Sequence, residues 1–102
     1  ASLSLDSPAQ RLAAALLNFA EVYGEPVPAL PAFSKIGPIS HEMLAQYIGS
    51  TRATVTRAIL RFRQEGWVRY TRSAIVIRQE ALRQWLHNYR GVPAGCLPGS
   101  AE

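Results

Sequence analysis

The chain has 102 residues with a formal charge of +4, seven prolines and one cysteine. That length holds one modest core, one cysteine excludes an intrachain disulfide, and no run of about eighteen apolar residues marks a membrane span or a signal peptide. Residues 1–51 hold two basic and four acidic side chains, whereas residues 52–102 hold nine arginines and three glutamates, so the positive charge lies in the second half.

Ten of the eleven basic residues are arginine, whose fork of donors suits phosphate and guanine better than a lysine point charge does. The plain alternative is a solvated basic surface with no partner. The absence of an intrachain disulfide fits a cytoplasmic protein, and Cys96, in a Gly/Pro stretch, is expected to be inert. The chain opens without Met, at ASLSLDSP, and reads as a piece of something longer. Residues 1–6 are expected to be linker or disordered, 7–90 one folded domain and 91–102 a flexible tail.

Ser7-Pro8-Ala9-Gln10 predicts a helix start: Ser7 caps, Pro8 suits the first helical position and Gln10 reaches back to complete a capping box. Leu12, Leu16, Ala20 and Tyr23 recur at helical spacing, with Ala13 and Leu17 beside them, and Gly24 ends the helix. Four prolines between residues 25 and 38 exclude a long helix and predict a loop with short extended pieces at 33–36 and at Ile39. Ser40 then caps a helix over 41–48, and Ser50 or Thr51 caps a second that runs to Gln64. Between them Gly49 supplies a left-handed turn. Leu44, Ile48, Val55 and Ile59 point inward, and Ala45 allows close approach.

Val55, Ala58, Ile59 and Phe62 form the buried stripe of that second helix, and Gly66 stops it. Residues 67–70 and 74–77 are β-branched and aromatic around Thr71-Arg72-Ser73, the pattern of a hairpin. A last helix is expected over 79–89, with Leu82, Trp85, Leu86 and Tyr89 inward. Met43, Tyr47, Trp67 and Trp85 are assigned to the core. The fold class is mainly α with a small antiparallel β-sheet: a winged helix-turn-helix, whose second motif helix would enter the DNA major groove.

The segment ISHEMLAQYIGSTRATVTRAILRFRQEGWV, from Ile39 to Val68 and on through the hairpin to Ile77, resembles the DNA-binding part of the Crp/Fnr family of bacterial transcription regulators. The likeness reaches back through SPAQRLAAALLNFAEVYG. The GSTRATVTR core is similar to the nitrogen-control branch. The resemblance implies a homodimer on a palindromic promoter site and contact with RNA polymerase. It also implies a β-roll sensor domain and a long dimerisation helix, neither of which lies in this stretch. No cofactor is expected here; the effector would bind elsewhere in the longer protein.

By that resemblance Arg52 contacts guanine, and Arg57 contacts a base or a nearby phosphate. A guanidinium bonds guanine O6 and N7 together, worth roughly 1–3 kcal/mol of discrimination. Ala53 stands where several family members carry a glutamate that accepts from cytosine. Alanine offers at most a methyl contact to thymine, so the preferred site should differ. Thr56 completes the expected base contacts. Ser40, His41, Thr51, Thr54, Arg61 and Arg72 are the expected phosphate contacts: Ser40 and His41 at a helix N-terminus, Arg72 at the wing tip. Thr51 has a competing role as a plain cap, and His41 one as an ordinary surface residue.

An enzyme is disfavoured. Two histidines, one tail cysteine, no paired carboxylates at useful spacing and no Gly-rich phosphate loop leave little to work with. The alternative from another class is a winged-helix protein-interaction module without sequence-specific DNA binding; arginine at the start of the recognition helix argues against it. A membrane-surface role is not expected, because the core claims the apolar face of that helix.

Overall fold

The computed structural model describes residues 7–71 and 74–91, with side chains through Asn88. The expectations for Arg72, Cys96 and the side chain of Tyr89 fall outside that range. The elements run α1 (Pro8–Tyr23), β1 (Glu25–Pro26), β2 (Ser34–Ile36), α2 (His41–Ile48), α3 (Arg52–Gln64), β3 (Val68–Tyr70), β4 (Ile75–Ile77) and α4 (Gln79–Gly91). Four helices and a small antiparallel sheet in this order make a winged helix-turn-helix.

Helix α1 begins as its sequence dictates. The Ser7 hydroxyl accepts from the Gln10 amide at 3.1 Å, and the Gln10 side chain accepts from the Ser7 amide at 3.3 Å. It ends at Gly24, though not by a left-handed turn, since φ there is −67°. Glycine is needed for room: a Cβ would stand 2.2 Å from the Ala20 carbonyl oxygen. Leu12, Leu16 and Ala20 are buried, with Ala13 and Ala15 beside them. Tyr23 departs from the expected stripe and is 67% exposed. It sits in the last turn of α1 and leans on Phe19, 6.5 Å between ring centroids.

The sheet is ordered β1-β2-β4-β3, all antiparallel. Strand β1 is not expected from a proline-containing dipeptide; it forms because it is an edge strand, where proline's missing N–H costs no ladder bond. Residue 39 is not in a strand. Register places Ile36 beside Ile75 and Val68 beside Ile77, and all four join the core with α1, α2, α3 and α4. Val76, between Lys35 and Arg69 in register, points to the other face of the sheet. The Ser34 hydroxyl and the Gln79 side chain share a hydrogen bond that ties β2 to α4.

Phe62 lies at the centre of the aromatic packing. Its ring is 5.9 Å from Trp67 and 5.5 Å, edge-on, from Trp85, and the two tryptophans are 5.9 Å apart. Both tryptophans are therefore packed against the core as expected. Met43 and Tyr47 are not: both are largely exposed. Helix α2 has only eight residues and turns Leu44, Ala45 and Ile48 inward. That leaves the neighbouring 43/47 pair outside. Tyr47 instead packs on Phe19, 4.9 Å between centroids, and its hydroxyl accepts from the Asn18 amide group at 3.3 Å.

The turn between α2 and α3 is closed by Gly49 at φ 73°. The Ser50 amide donates to the Ala45 carbonyl at 2.8 Å, and the Arg11 guanidinium donates from Nε to the Ile48 carbonyl at 2.9 Å. Both satisfy carbonyls that the helix end leaves open. A Cβ on Gly49 would meet nothing within 4 Å, so substitution there is costly through backbone strain alone. Gly49→Ala should destabilise by ~1–2 kcal/mol and Gly49→Val by more, because a branched side chain tolerates positive φ least. Thermal melting of the three proteins checks this; equal midpoints would show that the turn relaxes to another conformation.

Candidate nucleic-acid interface

Helix α3 is amphipathic, and its two faces divide cleanly. Val55, Ala58, Ile59 and Phe62 are buried, while Arg52, Ala53, Thr56, Arg57, Leu60, Arg61, Arg63 and Gln64 are exposed. Thr51 is the N-cap: its hydroxyl accepts from the Thr54 amide at 3.2 Å. Arg52 therefore opens the first turn, beside the helix's uncompensated N–H groups. Helix α3 contains no carboxylate. Among the described residues the one ion pair is Arg83–Glu80 on α4. The arginines of α3 are thus not ion-paired to any described carboxylate.

The arginines fall on two edges of the exposed face. Arg57 and Arg61 lie on one, and the Arg61 guanidinium sits 5.4 Å from the centroid of Trp85 in α4. Arg52 and Arg63 lie on the other, where the Arg63 guanidinium is 5.4 Å from the centroid of Tyr70 in β3. Arg57 is steadied from its own helix: Nη2 donates to the Thr54 hydroxyl at 3.3 Å, and that hydroxyl accepts from Thr51 Oγ1 at 2.9 Å. Arg69 points away from this face and covers Phe33, 5.3 Å from its centroid.

Several of the expected contact residues are thereby brought together. Arg52, Ala53, Thr56 and Arg57 share one exposed helical surface, with Thr51 and Thr54 at its start. Ser40 caps α2, accepting from the Met43 amide at 3.0 Å. His41, half-buried, has both ring nitrogens engaged: Nδ1 lies 2.9 Å from the Thr56 hydroxyl and Nε2 lies 2.8 Å from the Tyr70 hydroxyl. Burial raises the pKa of the Tyr70 phenol, and the Arg63 charge offsets part of that shift, so the phenol keeps its proton at neutral pH. Leu60 and Tyr70 were not singled out from sequence. Leu60, 51% exposed at the middle of the α3 face, was detectable as the apolar residue out of phase with the buried stripe. Tyr70 carried no such signal.

Among the described residues, no helix is long and apolar enough to cross a membrane, and no group of His, Cys, Asp and Glu is arranged to hold a metal.

The chain matches the family of Crp-like helix-turn-helix domains over residues 10–85. No curated protein sequence matches it. Several solved structures share the fold. A CooA variant from Carboxydothermus hydrogenoformans has a TM-score of 0.69 at 23% identity, covering 82% of this chain and 38% of that one. A CRP/FNR-family transcriptional regulator from Thermus thermophilus has a TM-score of 0.64 at 26% identity, covering 82% and 40%. Oxidised CprK in complex with o-chlorophenolacetic acid has a TM-score of 0.67 at 17% identity, covering 78% and 33%. The matched region is thus a minor part of those longer proteins. With three-quarters of its length matching the family, this chain belongs to the Crp-like helix-turn-helix domains and is a DNA-binding transcription-regulator domain of the Crp/Fnr family.

Proposed function

We propose that this domain reads a specific DNA sequence as the output module of a bacterial Crp/Fnr-type regulator that acts as a dimer on a palindromic promoter site. The observation that carries this is the exposed face of α3. Arg52 opens its first turn, Arg57 is held by Thr54, and no carboxylate on the helix competes for either. In this reading α3 lies in the major groove with its N-terminal turns toward the bases. Arg52 and Arg57 read guanine, and Ala53, Thr56 and Leu60 line the contact with methyl and hydroxyl groups. Ser40, Thr51 and Thr54 lie where a phosphate would approach the N-terminal turns of α2 and α3, and Arg61 and Arg72 supply flanking positive charge. A bacterial promoter as target implies a cytoplasmic protein with RNA polymerase as the downstream partner. The Gly49–Arg57 segment supports a place near the nitrogen-control branch.

Binding-site selection from random duplex DNA at low salt tests the reading, with the chain alone and with a leucine-zipper fusion that supplies a dimer contact. The expected result is a palindrome with a guanine in each half-site, enriched most strongly by the fusion. Tight binding without enrichment would leave an electrostatic binder. No binding would favour a protein-interaction module.

A further inference from the structure

We propose that His41 is a positioning residue that locks the wing to the recognition helix and so sets where the wing meets the DNA backbone relative to the groove-reading face of α3. The proposal rests on the reading that α3 enters the major groove. Its carrying observation is the placement of one imidazole between two elements distant in sequence. His41 opens α2; Thr56, fifteen residues on, is at the middle of α3; Tyr70, twenty-nine residues on, ends β3. Both ring nitrogens are used, at 2.9 and 2.8 Å, and the two rings meet edge to face with centroids 6.0 Å apart.

The rest of the hairpin explains why this contact matters. Its base is anchored in the core through Val68 and Ile77, a registered pair that is buried. Arg69 faces the other side of the sheet. Near the turn, the space between the hairpin and the loop before α2 is an open groove of about 420 Å³ lined by Pro38, Ile39, Ser40, Tyr70, Thr71 and Ala74. Ala74 and Ile75 are buried there, whereas Tyr70, opposite Ile75 in register, is 39% exposed. Tyr70 bridges back to the helix-turn-helix through its hydroxyl on His41 and its ring beneath Arg63. Arg63 of α3 lies over the Tyr70 ring, and Glu42 follows His41 in the first turn of α2.

Donor bookkeeping gives the arrangement a direction. A neutral imidazole donates from one nitrogen and accepts at the other. A phenol is a stronger donor than an aliphatic alcohol, so Tyr70 donates to Nε2, and Nδ1–H donates to Thr56 Oγ1. The Thr56 hydroxyl then keeps its own hydrogen, which can be donated outward to an acceptor on a base edge. His41 thus acts through its neighbours: it fixes the polarity Thr56 presents to the groove and the height at which the wing stands beside it. With both nitrogens so occupied, it serves the interface without needing to touch a phosphate itself.

The amide side chains of asparagine and glutamine mimic Nδ1 and Nε2 of histidine in turn, which separates the two bonds. The 102-residue chain is compared with His41→Gln, His41→Asn, His41→Phe and Tyr70→Phe in two measurements. The first is hydrogen exchange at the amides of residues 68–71 and 74–77 in the unbound protein. The second is affinity for duplex DNA across a salt series. His41→Phe, His41→Asn and Tyr70→Phe should lose protection at Thr71, whose amide donates to the Ala74 carbonyl across the hairpin. They should also bind all sequences roughly tenfold more weakly, with a salt slope smaller by about one as the wing's phosphate contact is lost. His41→Gln should restore both, because it retains the partner for Tyr70. Unchanged exchange in His41→Phe overturns the lock, and changed exchange with unchanged affinity and salt slope overturns its role at DNA while leaving the DNA-binding reading intact. Absence of DNA binding by the unmodified chain at low salt removes that reading, and the proposal falls with it.

Discussion

Phe62→Ala is expected to destabilise this domain by ~3–5 kcal/mol, the range for removing a large aromatic ring from a packed interior. Phe62 is fully buried and in ring contact with both tryptophans, Trp67 at the exit of α3 and Trp85 on α4. Deleting the ring removes a contact to each indole and leaves a cavity that stiff neighbouring indoles fill poorly. Domains of this size gain only ~5–15 kcal/mol in total from folding, so the substitution consumes a large share of it. The thermal midpoint should fall by on the order of 15 °C or more, read by circular dichroism, with tryptophan fluorescence reporting the same transition. A loss below about 1 kcal/mol would show that α4 and the hairpin close on each other without Phe62, contrary to the packing described.

Arg52→Ala should leave that midpoint almost unchanged and weaken discrimination between cognate and scrambled duplexes by ~1–3 kcal/mol. The side chain is exposed at the first position of α3 and is not ion-paired to any described carboxylate, so its removal opens no cavity and orphans no partner. Nonspecific affinity, set by the sum of phosphate contacts, should change little. Competition binding at fixed salt separates the two quantities. An equal loss on all sequences would make Arg52 a phosphate contact, and no loss on any would remove it from the interface. Arg57→Ala is the natural companion. Because Arg57 is steadied by Thr54, Thr54→Ala should reproduce part of its effect while leaving charge unchanged.

Much of the architecture was legible because it is written locally. The Ser7–Gln10 capping box, the Ser40 cap and the left-handed Gly49 each depend on residues within a turn of one another. The buried stripe of α3 follows from a single helical period. The exposed arginines of α3 were legible for the same reason: once the stripe was fixed, the opposite face was fixed with it. Tyr23 and Tyr47 depart from the expected burial because the choice between adjacent stripes depends on which neighbour a helix meets. On α2 the pairs 43/47 and 44/48 are both apolar and one residue apart, and packing against α1 and α3 buries the second and leaves the first outside. The same limit applied to β1, whose pairing requires β2 to be present, and to Tyr70, whose role requires α2.

By itself, then, the sequence determined the four helices, the hairpin and their order, the turn between α2 and α3 and the basic face of the second motif helix, because caps, glycines and hydrophobic period act over a few residues. Tertiary structure alone decided that His41 spans Thr56 and Tyr70, that Phe62 joins two tryptophans, and that Phe19 and Tyr47 meet at the surface. The His41 and Phe19–Tyr47 contacts join residues fifteen or more positions apart, which meet only after the chain has folded. No local rule of spacing or propensity encodes which of many polar or aromatic side chains will face one another across that distance.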